Sequence, residues 1–326
     1  MHGVVFERYG GEDVLHEAEL PDPVAGPGEV LVRVAATSVN PADWRLRQGD
    51  LRWFVRLRFP FVPGLDVAGV VHATGAAVAG LEVGDPVVAL LPTRTGGACA
   101  ELVRVRAEHV APAPRRLCLA DAAALPLVGL TALQALRDRA RLCPGQRLLV
   151  HGAAGGVGTL AVQIGRALGA HVTAVASARH ATLLNDLGAD EVLDRHAVSV
   201  PQLGRRFDVA LDCVDTLSTR ELRRLLVAGG TAVSVNPGRG LVSPVMSALH
   251  GRRRVRPVLV APSGEDLRTL AAMVDDGALR PVVERQVPLA DLAAAQRENA
   301  LGRAQGKTVV VVDPRLATLV PAGVHG

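Results

Sequence analysis

The segment from Arg147 to Ser177 constrains the fold more than any other part of the sequence. An apolar strand runs into a glycine-rich turn, the turn runs into an amphipathic helix, and a second apolar strand follows the helix. This order is typical of a βαβ unit, in which a crossover helix joins two parallel strands. Where such a turn carries several glycines, N–H groups at the start of the helix can approach a pyrophosphate.

The turn itself predicts a dinucleotide site. It reads Ala153-Ala154-Gly155-Gly156-Val157-Gly158. Gly155 lacks the Cβ that would block a phosphate, and Gly158 allows the helix to pack closely on the strand. A turn with only a packing role is the alternative, because Ala153 stands where the usual fingerprint has its first glycine. The residues expected to contact the cofactor are Ala154, Gly155, Gly156, Val157 and Gly158.

The end of the second strand indicates which cofactor binds. An NAD site usually places Asp or Glu about 20 residues beyond the turn, to accept a hydrogen bond from the ribose 2′-OH. Here that position is near Ala176, and no acid follows until Asp186. Ser177 can donate a hydrogen bond and Arg179 can pair with a phosphate, so the sequence predicts NADPH as the cofactor. A solvated arginine at the start of a helix is the alternative for Arg179.

Patterns on either side of this segment divide the chain. Residues 121–261 alternate apolar strands with amphipathic helices, which predicts a Rossmann domain with a doubly wound parallel sheet. Residues 1–120 hold short β segments separated by Pro-Gly and Gly-Asp turns, which predict an antiparallel, partly barrel-like domain. Residues 262–326 are too few to bury their own faces, so we expect them to complete the first domain. The predicted fold class is α/β.

Composition excludes several classes of function. Hydrophobic residues make up 49% of the chain, which suits a large buried core and not a disordered chain. The net charge is only +4 and aromatics are 2%, so we expect no nucleic-acid partner. The most apolar uncharged window, residues 148–165, is rich in glycine and favours a turn over a membrane span. With no signal-peptide pattern and widely spaced cysteines, the expected location is the cytoplasm.

Several ordered motifs resemble the medium-chain dehydrogenase/reductase superfamily, and specifically its zinc-independent quinone oxidoreductase branch. The motifs extend over nearly the whole chain and are SVNPADWRLRQG (38–49), FPFVPGLDVAGVV (59–71), VGDPVV (83–88), PLVGLTALQAL (126–136), HGAAGGVGTLAVQIGRALGA (151–170), LGADEVLDR (187–195) and GKTVVVV (306–312). The resemblance implies a GroES-like catalytic domain formed from both ends of the chain, a Rossmann domain between them, and a cofactor in the interdomain cleft. It also implies a homodimer joined through the edge strand of the Rossmann sheet, here residues 255–261.

The resemblance further implies that no metal takes part. Zinc-dependent alcohol dehydrogenases of this superfamily use a Cys and a GHE motif, where this chain has Asn40 and Gly64-Leu65-Asp66. The chemistry that fits is hydride transfer from NADPH to a small molecule, either a quinone or the β-carbon of an α,β-unsaturated carbonyl. An enoyl reductase acting on a polyketide-like or acyl-thioester intermediate is one alternative. A catalytically silent NADPH-binding module is the other.

Two residues of the NPxD motif are the implied catalytic residues. The resemblance puts the amide of Asn40 near the nicotinamide and the substrate, and the alternative is an N-terminal cap for the following helix. Asp43 is expected to orient its neighbours, because an exposed carboxylate with a reference pKa of about 3.9 is ionised at neutral pH. Many relatives place tyrosine where this chain has Arg45, so we expect the proton to come from water.

Three further residues resemble family positions that contact the cofactor. They are Thr131 in the GLTA motif, Asn236 at the end of a strand, and Lys307, the only lysine of the chain. The alternatives are, in the same order, a hydroxyl at a helix start, a turn at a strand end and a surface charge.

Aromatic and basic residues after the NPxD motif predict a substrate mouth. Trp44, Arg45 and Trp53 are the residues expected there, and they suit a flat, apolar acceptor. The alternative is an amphipathic lid whose aromatics pack inward and whose arginines face water.

Overall fold

The computed structural model describes residues 1–235, 254–302 and 304–321. The strands of this part are β1 (His2–Val5), β2 (His16–Glu19), β3 (Glu29–Ser38), β4 (Asp66–Thr74), β5 (Pro86–Leu90), β6 (Leu102–Arg106), β7 (Val110–Pro112), β8 (Arg147–His151), β9 (His171–Ala176), β10 (Glu191–Asp194), β11 (Phe207–Asp212), β12 (Leu226–Ser234), β13 (Arg254–Pro257), β14 (Val283–Pro288) and β15 (Lys307–Val311). Its α-helices are α1 (Pro41–Gln48), α2 (Leu119–Ala122), α3 (Pro126–Leu133), α4 (Gly156–Ala167), α5 (Ala181–Asp186), α6 (Thr219–Leu225), α7 (Gly264–Asp275), α8 (Leu292–Ala300) and α9 (Pro314–Ala317). No helix in these ranges is long and apolar enough to cross a membrane.

The chain divides into two compact units. One comprises Met1–Leu130, Ala261–Gly277 and Pro281–Gly326, and the other comprises Thr131–Val260 with Ala278–Arg280. The division after Leu130 falls inside α3, later than the expected boundary at residue 121. Leu127 N, at the start of α3, donates a hydrogen bond of 2.6 Å to Asp66 Oδ1, so the start of this helix is tied to the first unit.

A mostly antiparallel sheet forms the centre of the first unit. Its strand order is β14-β15-β3-β4-β5-β7, with β6 also paired to β3, and only β14 and β15 run parallel to each other. On β3, Arg33 is the only exposed residue, and the positions from Val30 to Val32 and from Val34 to Ser38 are buried, so this central strand is covered on both faces over most of its length. Because β15 and β4 both pair with β3, the ends that carry Ser38, Asp66 and Lys307 lie on adjoining strands.

A fully parallel sheet of six strands forms the second unit. Its order is β10-β9-β8-β11-β12-β13, which is the Rossmann order 3-2-1-4-5-6 counted from β8. The apolar run Leu148, Leu149 and Val150 is fully buried, as a strand covered on both faces requires. The outermost strand β13 is Arg254–Pro257, which is shorter than the predicted strand 255–261. The order reverses between β8 and β11, and sheets of this kind bind ligands at the reversal point.

Candidate active site

The glycine turn between β8 and α4 has a geometry that fits a pyrophosphate. β8 ends at His151 and α4 begins at Gly156. A Cβ added at Gly158 would lie 2.3 Å from the carbonyl oxygen of Gly152, so close packing of helix and strand requires glycine there. A Cβ added at Gly155 would meet only the same oxygen, at 3.6 Å, so the space above the turn is open. The packing role predicted for Gly158 is therefore confirmed, and the phosphate role of Gly155 stays a prediction.

The first amides of α4 can bind an anion. Thr159 N donates to Gly155 O over 2.9 Å, the bond that closes the first helical turn. The N–H groups that precede it have no intrahelical acceptor, and they carry the positive end of the helix dipole. The predicted phosphate contacts at this carboxyl edge of the sheet are Ala154, Gly155, Gly156, Val157 and Gly158. Contact of these residues with the cofactor stays a prediction.

Ser177 and Arg179 follow β9 at the same edge of the sheet. β9 pairs with β8, so its carboxyl end lies beside the glycine turn. Arg179 is exposed and its Nε donates to Nε2 of His180 over 3.0 Å. An exposed guanidinium at this strand end is suited to a 2′-phosphate. Of the other predicted cofactor contacts, Thr131 is buried on α3, and Asn236 lies outside the described residues.

A buried polar cluster lies in the first unit, where the predicted catalytic residues are. Its members are Ser38 at the end of β3, Asn40 and Asp43 at the start of α1, Asp66 at the start of β4 and Lys307 at the start of β15. None of these side chains is more than 5% exposed. Buried charges are costly unless they are paired and hydrogen-bonded, so the arrangement within the cluster determines what each group can do.

Asn40 makes hydrogen bonds to three members of the cluster or its backbone. Its Nδ2 donates to Asp66 Oδ2 over 2.7 Å and to Ser38 O over 3.1 Å, and its Oδ1 accepts from Lys307 Nζ. Asn40 is also the N-cap residue of α1, and its backbone N–H donates to Asp43 Oδ2 over 2.8 Å. Asn40 therefore occupies the N-cap position, as the alternative expects. Both hydrogens of its side-chain amide are already donated within the cluster, and its contact with substrate stays a prediction.

Lys307 is not a surface charge, so that alternative is wrong. It is 5% exposed, and its Nζ also donates to Val39 O over 2.8 Å and lies 3.6 Å from Asp66 Oδ2. Burial lowers the pKa of Lys307, and the nearby carboxylate of Asp66 opposes that shift. The ammonium thus belongs to the cluster, and its predicted contact with the cofactor stays a prediction.

Asp43 differs from the sequence-based expectation of an exposed, ionised carboxylate, which is wrong. It is 4% exposed, and burial raises its pKa to about 7, against the opposing hydrogen bond from the Asn40 N–H. Its Oδ1 is buried without a partner at hydrogen-bonding geometry. Asp43 therefore holds its proton over part of the population at neutral pH, which the sequence did not indicate.

Asp66 is a central residue of the cluster. The sequence analysis noted it only as part of Gly64-Leu65-Asp66, which stands in place of the zinc-binding GHE motif. Its Oδ2 accepts from Ser38 Oγ and Asn40, and its Oδ1 accepts from Leu127 N at the start of α3. Helix starts favour a negative charge, which adds to these bonds. An acid directly after the apolar run FVPGL was the available signal.

The predicted mouth residues lie in different environments. Trp44 is half-buried, and its Nε1 donates to Asn299 Oδ1 over 3.1 Å, while the Arg45 guanidinium lies 5.3 Å from the Trp44 ring. Trp53 is 83% exposed and Phe54 is 74% exposed. The alternative of a lid with inward-packed aromatics is therefore wrong for these two side chains.

The site lacks the histidine and the cysteine that bind catalytic zinc in the zinc-dependent enzymes. Leu65 stands where the zinc-dependent enzymes have histidine, Asn40 stands at their cysteine, and the Asp66 carboxylate is already bonded by its neighbours. Among the described residues, no group of three His, Cys, Asp or Glu side chains could hold a metal ion. These residues do not fit a catalytic zinc ion.

Comparisons with known proteins agree with this fold. Residues 26–115 match the alcohol dehydrogenase GroES-like domain, and residues 187–310 match the zinc-binding dehydrogenase family. The chain is 34% identical to a chloroplast envelope quinone oxidoreductase homolog of Arabidopsis thaliana, over 95% of this chain and 98% of that protein. It is 34% identical to a 2-methylene-furan-3-one reductase of Solanum lycopersicum, over 94% and 77%.

Solved structures show the same architecture. The quinone oxidoreductase from Coxiella burnetii superposes with a TM-score of 0.85 at 29% identity, covering 96% of this chain and 99% of that one. Dehydrogenases and reductases of this kind use a nicotinamide cofactor, which the glycine turn fits. The chain therefore belongs to the medium-chain dehydrogenase/reductase superfamily as a quinone oxidoreductase-like enzyme, with a GroES-like β-rich catalytic domain and a Rossmann domain.

Proposed function

We propose that this oxidoreductase transfers a hydride from NADPH to a quinone or to the β-carbon of an α,β-unsaturated carbonyl, without a metal ion. The single observation that carries the proposal is the buried polar cluster, whose amide, ammonium and Asp66 carboxylate are bonded to one another and which contains neither cysteine nor histidine. The names of the quinone oxidoreductase and furanone reductase relatives support the two acceptor classes.

Asp66 is held by its neighbours in the cluster. Asp66 accepts from Ser38, Asn40 and Leu127, and it lies 3.6 Å from the Lys307 ammonium. A divalent ion would have to displace this internal cation and break the bonds that Asp66 already makes, and the cluster offers it neither a cysteine nor a histidine. A conjugated acceptor does not need such an ion, because conjugation spreads the developing negative charge onto an oxygen that a few donors can stabilise.

The chain's own residues provide the rest of the chemistry. When bound, the nicotinamide supplies the hydride. The amides at the start of α4 bind the diphosphate, and Arg179 pairs with the 2′-phosphate that distinguishes NADPH from NADH. Burial raises the pKa of Asp43 to about 7, so this carboxyl holds a proton within the cluster over part of the population near neutral pH, and the proton that reduction requires comes from water.

A panel of acceptors tests the proposal. Oxidation of NADPH is followed with 1,4-benzoquinone, 9,10-phenanthrenequinone, an alkyl enone and an acyl thioester, each before and after dialysis against a strong chelator. We expect turnover with a quinone or the enone that survives the chelator. Turnover of the thioester alone would favour the enoyl reductase alternative, and activity that zinc restores after dialysis would refute the metal-free site.

A further inference from the structure

A histidine–aspartate pair lies at the carboxyl edge of the Rossmann sheet. His151 is the last residue of β8 and Asp212 is the last residue of β11, and the two are register partners on neighbouring parallel strands. His151 Nδ1 lies 3.1 Å from Asp212 Oδ1. The Asp212 side chain is 1% exposed and that of His151 is 12% exposed, so the imidazole alone reaches the surface.

The location of the pair indicates a ligand. The strand order reverses between β8 and β11, and dinucleotides bind in the crevice at such a reversal. The glycine turn, Ala153 to Gly158, follows His151 after one residue. The pair and the turn therefore lie at the same carboxyl edge of the sheet.

Asp212 determines which ring nitrogen is free. Its Oδ1 also accepts the backbone N–H groups of Val214 and Asp215, each over 3.2 Å, so this oxygen acts as an acceptor. In the neutral imidazole, Nδ1 must then carry the hydrogen and Nε2 presents a lone pair. Within the described residues, no hydrogen bond to Nε2 is formed, so its lone pair is available to a hydroxyl donor.

Two further features mark this strand end as a place under functional constraint. Asp212 Oδ2 is buried without a hydrogen-bond partner. Asp215 has a φ of +54°, and Arg141 is the only other non-glycine residue of the described ranges with a positive φ. A buried carboxylate oxygen without a partner is costly and calls for an explanation, and residues in sparsely populated backbone conformations cluster at active sites and ligand clamps.

We propose that Nε2 of His151 accepts a hydrogen bond from a hydroxyl of the ribose on the nicotinamide side of the bound dinucleotide, and that Asp212 positions the imidazole. The glycine turn takes the diphosphate, and the strands β9 and β10 on one side of it take the adenosine half. β11 begins the other half of the sheet, so the second ribose lies towards the pair. This inference rests on the proposed function, since it requires a pyridine dinucleotide.

Two substitutions separate the functions of the two ring nitrogens. His151→Asn keeps an amide near the position of Nδ1, where it can donate to Asp212, and loses the acceptor at Nε2. His151→Gln reaches the position of Nε2 with an amide oxygen and loses the bond to Asp212. His171→Asn, an exposed histidine at the amino end of β9, is the matched control.

Binding is measured without turnover, by calorimetric titration of the whole chain with NADPH, 2′-phospho-ADP-ribose and 2′,5′-ADP, or with NADH, ADP-ribose and AMP if the wild type prefers NADH. We expect His151→Asn to weaken the binding of NADPH and 2′-phospho-ADP-ribose, or of NADH and ADP-ribose, about fivefold to tenfold. The binding of 2′,5′-ADP, or of AMP, should be unchanged, because these ligands lack the second ribose. His151→Gln should recover part of the loss, and His171→Asn should bind as the wild type does.

The positioning role of Asp212 has its own readout. Asp212→Asn should weaken the binding of 2′-phospho-ADP-ribose in the wild-type background. It should have no added effect on that binding in the His151→Asn background, whereas a general loss of structure would weaken binding in both backgrounds. Equal binding of all three ligands by wild type and His151→Asn would overturn this inference alone. Failure of the wild type to bind either coenzyme would instead overturn the proposed function.

Discussion

Asp43→Asn tests whether the buried cluster imposes an electrostatic cost on the fold. Burial raises the pKa of Asp43 from 3.8 to about 7, so the native state binds a proton that the unfolded chain has already released. Between these two pKa values the unfolded state therefore holds fewer protons, and stability falls as the pH rises. Above about pH 7 both states are ionised and the cost is constant.

The size of this cost follows from the shift. A shift of about 3 pKa units corresponds to about 4 kcal/mol at high pH, of which about 2.5 kcal/mol develops between pH 5 and pH 8. Asn at position 43 is isosteric and neutral, and its amide oxygen can still accept from the Asn40 N–H. Its NH₂ group replaces the unpartnered Oδ1 and adds a constant penalty of about 1–3 kcal/mol. The pH dependence of the difference is therefore the quantity to measure.

Urea unfolding of wild type and Asp43→Asn at pH 5, 6, 7 and 8 gives that difference directly. We expect the variant to gain about 2.5 kcal/mol relative to wild type from pH 5 to pH 8, with most of the gain below pH 7. Asp50→Asn, at an exposed position two residues after α1, is the control and should show a constant difference. A constant difference for Asp43→Asn as well would mean that its carboxyl is ionised throughout and would refute the assignment of a raised pKa.

Three more predictions concern the dinucleotide site. Gly158→Ala should lower the free energy of unfolding by about 1–3 kcal/mol, because its Cβ would lie 2.3 Å from the Gly152 carbonyl oxygen. Gly155→Ala should keep the stability of the wild type, since its Cβ meets no protein atom closer than 3.6 Å. It should weaken NADPH binding at least tenfold in fluorescence titration, because the Cβ enters the space for the phosphate. Unchanged binding would contradict the phosphate role of the turn. Arg179→Ala should weaken the binding of NADPH about tenfold or more and leave the binding of NADH unchanged. An equal effect on the two coenzymes would show that no 2′-phosphate is bound there.

The Rossmann unit could be predicted from the sequence because its signals are local. The strand, turn and helix from Arg147 to Ala167 follow one another along the chain, and the packing that requires Gly158 involves Gly152 and Ala153 only a few residues away. Parallel strands with apolar runs and short helices then fix the order of the sheet. Every step of that reasoning uses residues close in sequence.

The environment of the catalytic motif could not be predicted in the same way. Asn40 and Lys307 are separated by 267 positions, and Asn40 and Asp66 by 26, yet they share hydrogen bonds. A carboxylate next to a helix start usually faces water, so the sequence favoured exposure for Asp43, and it left a surface charge open as the alternative for Lys307. Only the pairing of β15 and β4 with β3 shows that these residues bury one another.

The charges of the cluster connect the lysine to the proton on Asp43, and this connection can be tested. Ionising Asp43 adds a negative charge to a cluster inside the protein that also contains Lys307 and Asp66. Lys307 lowers the pKa of Asp43 and Asp66 raises it. Lys307→Met should therefore raise the pKa of Asp43 above about 7. The same urea series then compares Lys307→Met with the Lys307→Met/Asp43→Asn double variant. The difference in their free energies of unfolding should still grow from pH 7 to pH 8. Over that range, the difference between wild type and Asp43→Asn is nearly constant. A difference that levels at the same pH in both pairs would show that the ammonium does not act on this carboxyl.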